Sequence, residues 1–233
     1  MAASDGKQSA ASGSRLVWDL PVRLFHWGLV LAVLGAFVTQ TLGVQYFAYH
    51  LVCGYAVIIL VMFRILWGFF GTHHARFVNF VRGPRGVLAY LRGENPAPVG
   101  HNPLGAGMVV LLLAVLGIQA GLGLFSDDEI FNAGPFASLI SPHLSQTFSS
   151  VHRKLFYAIA IAIAVHVAAV LWHQWGRRED LLKPMITGRK RLSEAHSPGI
   201  ASSNLGFAAV IVLVLAGILA LAVSLSPALS NSI

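Results

Sequence analysis

Five apolar runs, each long enough to cross a bilayer as a helix, constrain this chain more than any other feature. They are expected at Pro21 to Gly43, Gln45 to Phe70, Pro103 to Phe125, Phe148 to Trp175 and Asn204 to Leu225. With 56% hydrophobic and only 11% charged residues, the chain is an integral membrane protein, all-α, and does not have to bury a soluble core. Pro21 stands at the entry of the first run, where a missing N–H costs least. Thr72 to Gly100 forms a basic connection broken at Gly83-Pro84, with short amphipathic pieces suited to the membrane surface. Residues 1–15 are polar, rich in Ser, Ala and Gly, and lack an apolar signal core, so they are expected as a disordered cytoplasmic tail. No internal repeat is visible. The single cysteine, Cys53, excludes an intrachain disulfide.

The net charge of +7 suggests nucleic acid until its distribution is read. Lys7, Arg15 and Arg23 lie in the first tail and its junction with the first span. Arg64, Arg76, Arg82, Arg85 and Arg92 belong to the second connection, counting the end of its helix. Arg177, Arg178, Lys183, Arg189, Lys190 and Arg191 follow the fourth span. Fourteen of sixteen basic residues thus lie on one side, which the positive-inside rule makes cytoplasmic. The N-terminus is expected inside and the C-terminus outside, with membrane lipid and not nucleic acid as the partner of this charge. Asp127, Asp128 and Glu129 mark the opposite side. Arg153 and Lys154 break the pattern at the outer end of the fourth span. Either they snorkel to the interface or they meet anionic groups of something bound beside His152, and the break in the bias favours the second.

Histidines inside the spans carry the chemistry, since ionisable side chains at membrane depth are rare and usually functional. His152 and His166 lie fourteen residues apart on the fourth span. That spacing is about 21 Å of rise and about 40° short of four full turns, so both imidazoles lie near one face. His26 lies near the inner end of the first span and His50 near the outer end of the second. Counting through the turn at Val44 and Gln45 places this second pair about 21 Å apart in depth as well. The four form two level pairs: His26 with His166 inside, His50 with His152 outside. Structural zinc needs four ligands at one point. Proton relays usually include Asp or Glu, and the spans hold none. Haem iron takes two axial ligands on opposite faces of a flat ring, and helix bundles hold it this way. Four histidines at matched depths point to two bis-histidine haems. Cys53 sits in no CxxCH motif, so attachment is expected to be non-covalent.

The segments LPVRLFHW, YHLVCGYAVIILVMFRILWG, GTHH, VGHNPLG, the H-x13-H helix and REDLLKPMITGRK together resemble the bacterial cytochrome b561 / [NiFe]-hydrogenase cytochrome b subunit family. The resemblance implies a four-helix transmembrane bundle over residues 16–190 binding two haems b, with residues 191–233 a linker and an extra C-terminal span. It implies His26, His50, His152 and His166 as the iron ligands, in a bacterial inner membrane. It also implies electron transfer between the quinone pool and a redox partner, either a periplasmic cytochrome c or a dehydrogenase or hydrogenase subunit. Two other classes stay open: a stand-alone quinone-linked oxidoreductase of a small reductant such as superoxide, and a membrane anchor of a larger redox complex. Arg23, one turn before His26, is a candidate for a haem propionate, as are Arg153 and Lys154 on the outer side. His173, one heptad beyond His166, is the alternative inner ligand. His73, His74, His101, His143 and His196 are expected in loops as solvated or hydrogen-bonded side chains. Gly54, four residues after His50, leaves room for a macrocycle, whereas Gly117 and Gly121 suit helix packing.

Overall fold

The computed structural model describes residues 13–94, 100–130, 132–192 and 200–226. In chain order the elements are β1 (Gly13–Leu16), α1 (Leu20–Leu42), α2 (Phe47–Phe70), α3 (Phe77–Phe80), α4 (Pro84–Leu91), α5 (Pro103–Leu124), α6 (Pro142–Leu171), α7 (Leu182–Thr187), β2 (Arg189–Leu192) and α8 (Leu205–Ser224). Five of the helices, α1, α2, α5, α6 and α8, are long and apolar enough to span a membrane.

Three of the spans begin in the same way. A polar residue in extended conformation precedes a proline in the first turn, and its side chain accepts a backbone N–H that the helix leaves open. Asp19 takes the Val22 N–H at 2.7 Å, Asn102 takes Gly105 at 2.7 Å, and Ser141 takes Leu144 at 3.4 Å. Gly43, at φ 109°, ends α1, and a short 3-10 turn, Val44–Tyr46, stands where the sequence pattern put the start of the second span. α6 begins six residues before the apolar run that announced it. Hydropathy missed those turns because Pro142 to Ser149 is a polar stretch, capped and held by its hydroxyls. With its terminal π-turn, Trp172–Gly176, the helix reaches 35 residues, about 52 Å. Its first turns therefore project past a hydrocarbon core of about 30 Å. There the Ser145 hydroxyl donates to the Phe125 carbonyl at 2.7 Å, and Ser149 takes the Asp127 N–H at 2.8 Å, clamping the acidic loop onto the helix.

α2 is the centre of the bundle, with α1, α5 and α8 packed around it, and α6 packs chiefly on α5. The core runs along these contacts through Val22, Phe25, Val57, Val61, Trp67, Leu113, Leu116 and Ala208. α6 stands off α1 and α2 and meets them through aromatic and imidazole rings, among them a parallel Phe37–Phe156 stack at 5.5 Å.

Residues 1–12 of the expected tail lie outside the described residues. Residues 13–15 belong to β1, which pairs antiparallel with β2, Arg15 opposite Lys190 and Leu16 opposite Arg189. Val17 N–H then donates to the Gly188 carbonyl, Arg23 Nη1 to Ile186 and Trp27 Nε1 to Met185. This ribbon also crosses the expected domain boundary at residue 190. Pairing between segments more than 170 residues apart leaves no local signal in the sequence.

Candidate metal centre

The structure brings together the four histidines of the spans as two pairs on separate levels. His26 of α1 faces His166 of α6 with ring centroids 6.5 Å apart, and His50 of α2 faces His152 of α6 at 6.3 Å. Two imidazoles bound through nitrogen to opposite faces of one iron, with metal–nitrogen bonds of about 2.0 Å, would put their centroids about 6.3 Å apart. Both pairs fit that spacing. No cluster of three or more His, Cys, Asp or Glu side chains able to hold a metal occurs among the described residues, so the pairs suit a ligand that brings its own equatorial donors.

Hydrogen bonding fixes the tautomer of the outer pair. His50 Nδ1 lies 2.9 Å from the Ala36 carbonyl and His152 Nδ1 lies 2.9 Å from the Gln119 carbonyl. A carbonyl only accepts, so Nδ1 carries the proton in each ring and Nε2 keeps its lone pair. Donation from the far nitrogen to a carbonyl is how proteins usually orient a metal-ligating imidazole. Gly123 lets α5 approach closely enough for this: a Cβ there would lie 3.1 Å from His152 Cε1. Gly54, one turn from His50, has no neighbouring atom within 4 Å of where its Cβ would stand, so the space beside it is open.

The inner pair is held differently. His26 Nδ1 is buried without a hydrogen-bond partner. His26 packs edge-on against Trp27, whose indole N–H reaches the Met185 carbonyl at 3.3 Å. His173 lies in the π-turn with Nδ1 2.9 Å from Glu179 Oε2, and it is His166, not His173, whose ring faces His26.

The remaining candidates are spread around the two levels. Arg23 donates Nη1 to the Ile186 carbonyl at 2.6 Å, while its Nε is buried and unpartnered. Arg153 and Lys154 are exposed beside His152. His143 lies in the first turn of α6 and not in a loop, and His196 falls outside the described residues. His101 is not a solvated loop residue: it packs between Trp18 and Phe80, each ring centroid 4.6 Å away. Burial there, together with the nearby Arg64 charge, lowers its pKa to about 3.

Arg64 is the residue that charge counting misplaced. It is 2% exposed, inside α2, and not a charge of the connection. The signal that finds it is an arginine in the middle of VMFRILW, an ionisable residue within a span.

The family model for prokaryotic cytochrome b561 matches residues 17–188. The chain belongs to this family. Membership makes it a b-type cytochrome, a haem protein of membrane electron transport. Relatives similar over most of their length include the probable Ni/Fe-hydrogenase B-type cytochrome subunit of Bradyrhizobium diazoefficiens, 24% identical over 228 residues, 82% of this chain and 92% of that one. The probable Ni/Fe-hydrogenase B-type cytochrome subunit of Azotobacter vinelandii is 26% identical over 225 residues, 79% of this chain and 92% of its own. The probable Ni/Fe-hydrogenase 1 B-type cytochrome subunit of Escherichia coli strain K12 is 24% identical over 211 residues, 75% and 90% respectively. No solved structure gives a significant match.

Proposed function

We propose that this cytochrome b561 relative holds two haems b, each between two histidines, and carries electrons across the membrane between the quinone pool and a redox partner. His26 and His166 would hold the inner haem, His50 and His152 the outer one. The observation that carries the reading is the pair of facing imidazole sets, 6.5 and 6.3 Å between centroids, on two levels of one helix. Fourteen residues of α6 separate those levels, about 21 Å between metals and much less between macrocycle edges. The bound groups supply one-electron exchange; the chain supplies position, tautomer and dielectric. His50 and His152 are oriented by carbonyls of α1 and α5, and the Phe37–Phe156 stack lies between the two levels. Burial, axial ligand and nearby charge set the potentials.

The partner is proposed to be a hydrogenase or related dehydrogenase subunit, on the strength of the relatives' names, with a periplasmic cytochrome c as the other candidate. The basic loops support a bacterial inner-membrane protein with its N-terminus in the cytoplasm and its C-terminus in the periplasm. A pyridine haemochrome assay on the purified chain tests the cofactor reading. Two extractable haems per chain are expected, and one haem, or haem resisting acid-acetone extraction, overturns it. Co-purification with a large redox subunit supports the partner; quinone reduction by the isolated chain with a small reductant replaces it with a stand-alone oxidoreductase.

A further inference from the structure

Arg64 is a buried cation whose forked end has no acceptor. Its Nη1 and Nη2 are both without a hydrogen-bond partner, and among the described residues it makes no ion pair. The guanidinium lies against the rings of Phe77 and Phe80, 5.1 and 5.7 Å from their centroids. Both rings belong to the segment on the inner side of the bundle, so the group points inward from its helix. Arg64 stands six residues before the inner end of α2, and His26 stands six residues after the inner end of α1, which sets the two at one depth. His101 borders the same Phe80 ring and has a second orphaned nitrogen, Nδ1. Its imidazole feels the charges of Arg64, His166, His26 and His74, so these groups share one neighbourhood.

The acid whose charge acts on Arg64 is Asp19, and its carboxylate is already committed. It accepts the Val22 N–H at 2.7 Å, Trp67 Nε1 at 2.9 Å and the Thr72 hydroxyl at 2.5 Å. It steadies Arg64 from a distance but does not fill the fork. A guanidinium offers two parallel N–H donors matched to a pair of carboxylate oxygens, and leaving such a charge buried and unpaired is strongly unfavourable. The chain therefore presents a carboxylate site at the depth of the inner histidine pair, and no carboxylate among the described residues fills it.

We infer that Arg64 binds a propionate carboxylate of the inner haem, with His101 closing the site from the foot of α5. The inference rests on the di-haem reading. It makes Arg64 the inner anchor, and not Arg23, whose Nη1 is already given to the Ile186 carbonyl of α7. The shared chemistry is an anionic oxygen pair, which a lipid phosphate also offers, so the test separates the two.

The experiment is an optical redox titration of the full-length holoprotein across pH, wild type against R64Q and R64K. With Arg64 present the propionate stays ionised and neutralised. In R64Q it stays ionised at high pH without its partner, which favours ferric iron. The inner midpoint is expected to fall there by about a tenfold change in the oxidised-to-reduced ratio, ~59 mV for one electron. At acid pH the propionate takes up a proton and the midpoint returns toward wild type. The groups that also face this site are Asp19 of the α1 cap, His26, His74, His101 and His166, and they are unchanged in every variant. A midpoint equal to wild type at all pH values, or lower by one constant amount, overturns the inference. Where R64Q fails to retain haem, R64K decides by redox-difference infrared spectra of haem isotopically labelled at its propionate carboxyl carbons. Labelled carboxylate bands that differ between R64K and wild type support the contact; identical bands assign Arg64 to a phosphate or to no anion. A wild-type protein lacking the second haem sinks the di-haem reading, whereas two haems with insensitive Arg64 variants sink this inference alone.

Discussion

The outer and inner histidine pairs have nearly the same ring separation and almost nothing else in common. At the outer level both Nδ1 atoms are bonded to main-chain carbonyls of neighbouring spans, at 2.9 Å each, and Gly123 brings α5 up against His152. At the inner level His26 Nδ1 has no partner, and the surroundings hold a buried arginine, a buried aspartate and His101. The outer site is oriented by backbone, and its basic side chains, Arg153 and Lys154, are exposed, where solvent and salt screen them. The inner site is surrounded by charge, which acts on a bound group through Coulomb interaction in a low dielectric. Equal ring spacing in unequal electrostatics would give the two proposed haems different potentials.

The strongest way to break this comparison is to remove one ligand from each level. H152A is expected to lose the outer haem and keep the inner, H166A the reverse, each halving the haemochrome yield. H173A should keep both. If H173A removes a haem while H166A retains two low-spin haems, the inner assignment is wrong. A gentler blow to the outer level alone is G123V. Its Cβ would stand 3.1 Å from His152 Cε1, and the added methyls leave the ring no room in its present place. Partial loss of the outer low-spin spectrum is expected, with the inner spectrum intact; an unchanged outer spectrum refutes close α5 contact as its support.

Stability sharpens the contrast next. D19A strips the α1 cap and leaves the buried Trp67 N–H and Thr72 hydroxyl unpaired, a loss of about 2–4 kcal/mol. S149A at the outer clamp removes neutral hydrogen bonds, worth about 1 kcal/mol. Thermal unfolding of both variants checks the order, and a D19A shift no larger than S149A contradicts the charged inner network. The effect that vanishes at neutral pH comes last. His101 has a folded pKa of about 3, so below its ordinary value near 6.5 the unfolded chain binds a proton that the folded state refuses. Stability should be unaffected at neutral pH and decline as pH falls from about 6.5 toward 3, by at most ~1.4 kcal/mol per pH unit from this group. H101F should flatten that part of the profile; an identical slope in the variant excludes His101 as its source.

Much of this was legible in the sequence, because membrane geometry is nearly one-dimensional. Hydropathy places the spans, a rise of 1.5 Å per residue converts numbering into depth, and depth alone pairs His26 with His166 and His50 with His152. The same one-dimensional reading explains the misses. The polar opening turns of α6, Pro142 to Ser149, are helical through capping and hydroxyl clamps, to which hydropathy is blind. Arg64 counts as one positive charge near an inner end in any linear tally, although its side chain is buried.

The sequence by itself determined the class, the number of spans and the levels at which imidazoles lie, since these follow from chain length and local composition. Tertiary structure decided which way each group is committed. It closed the β1–β2 ribbon between distant segments, gave His173 to Glu179, set His101 between Trp18 and Phe80, and left Arg64 without an acid. Those outcomes depend on which side chains from other helices arrive at the same point. No local pattern encodes that, because the cost of an unpaired buried group is set by its neighbours in space and not by its neighbours in sequence.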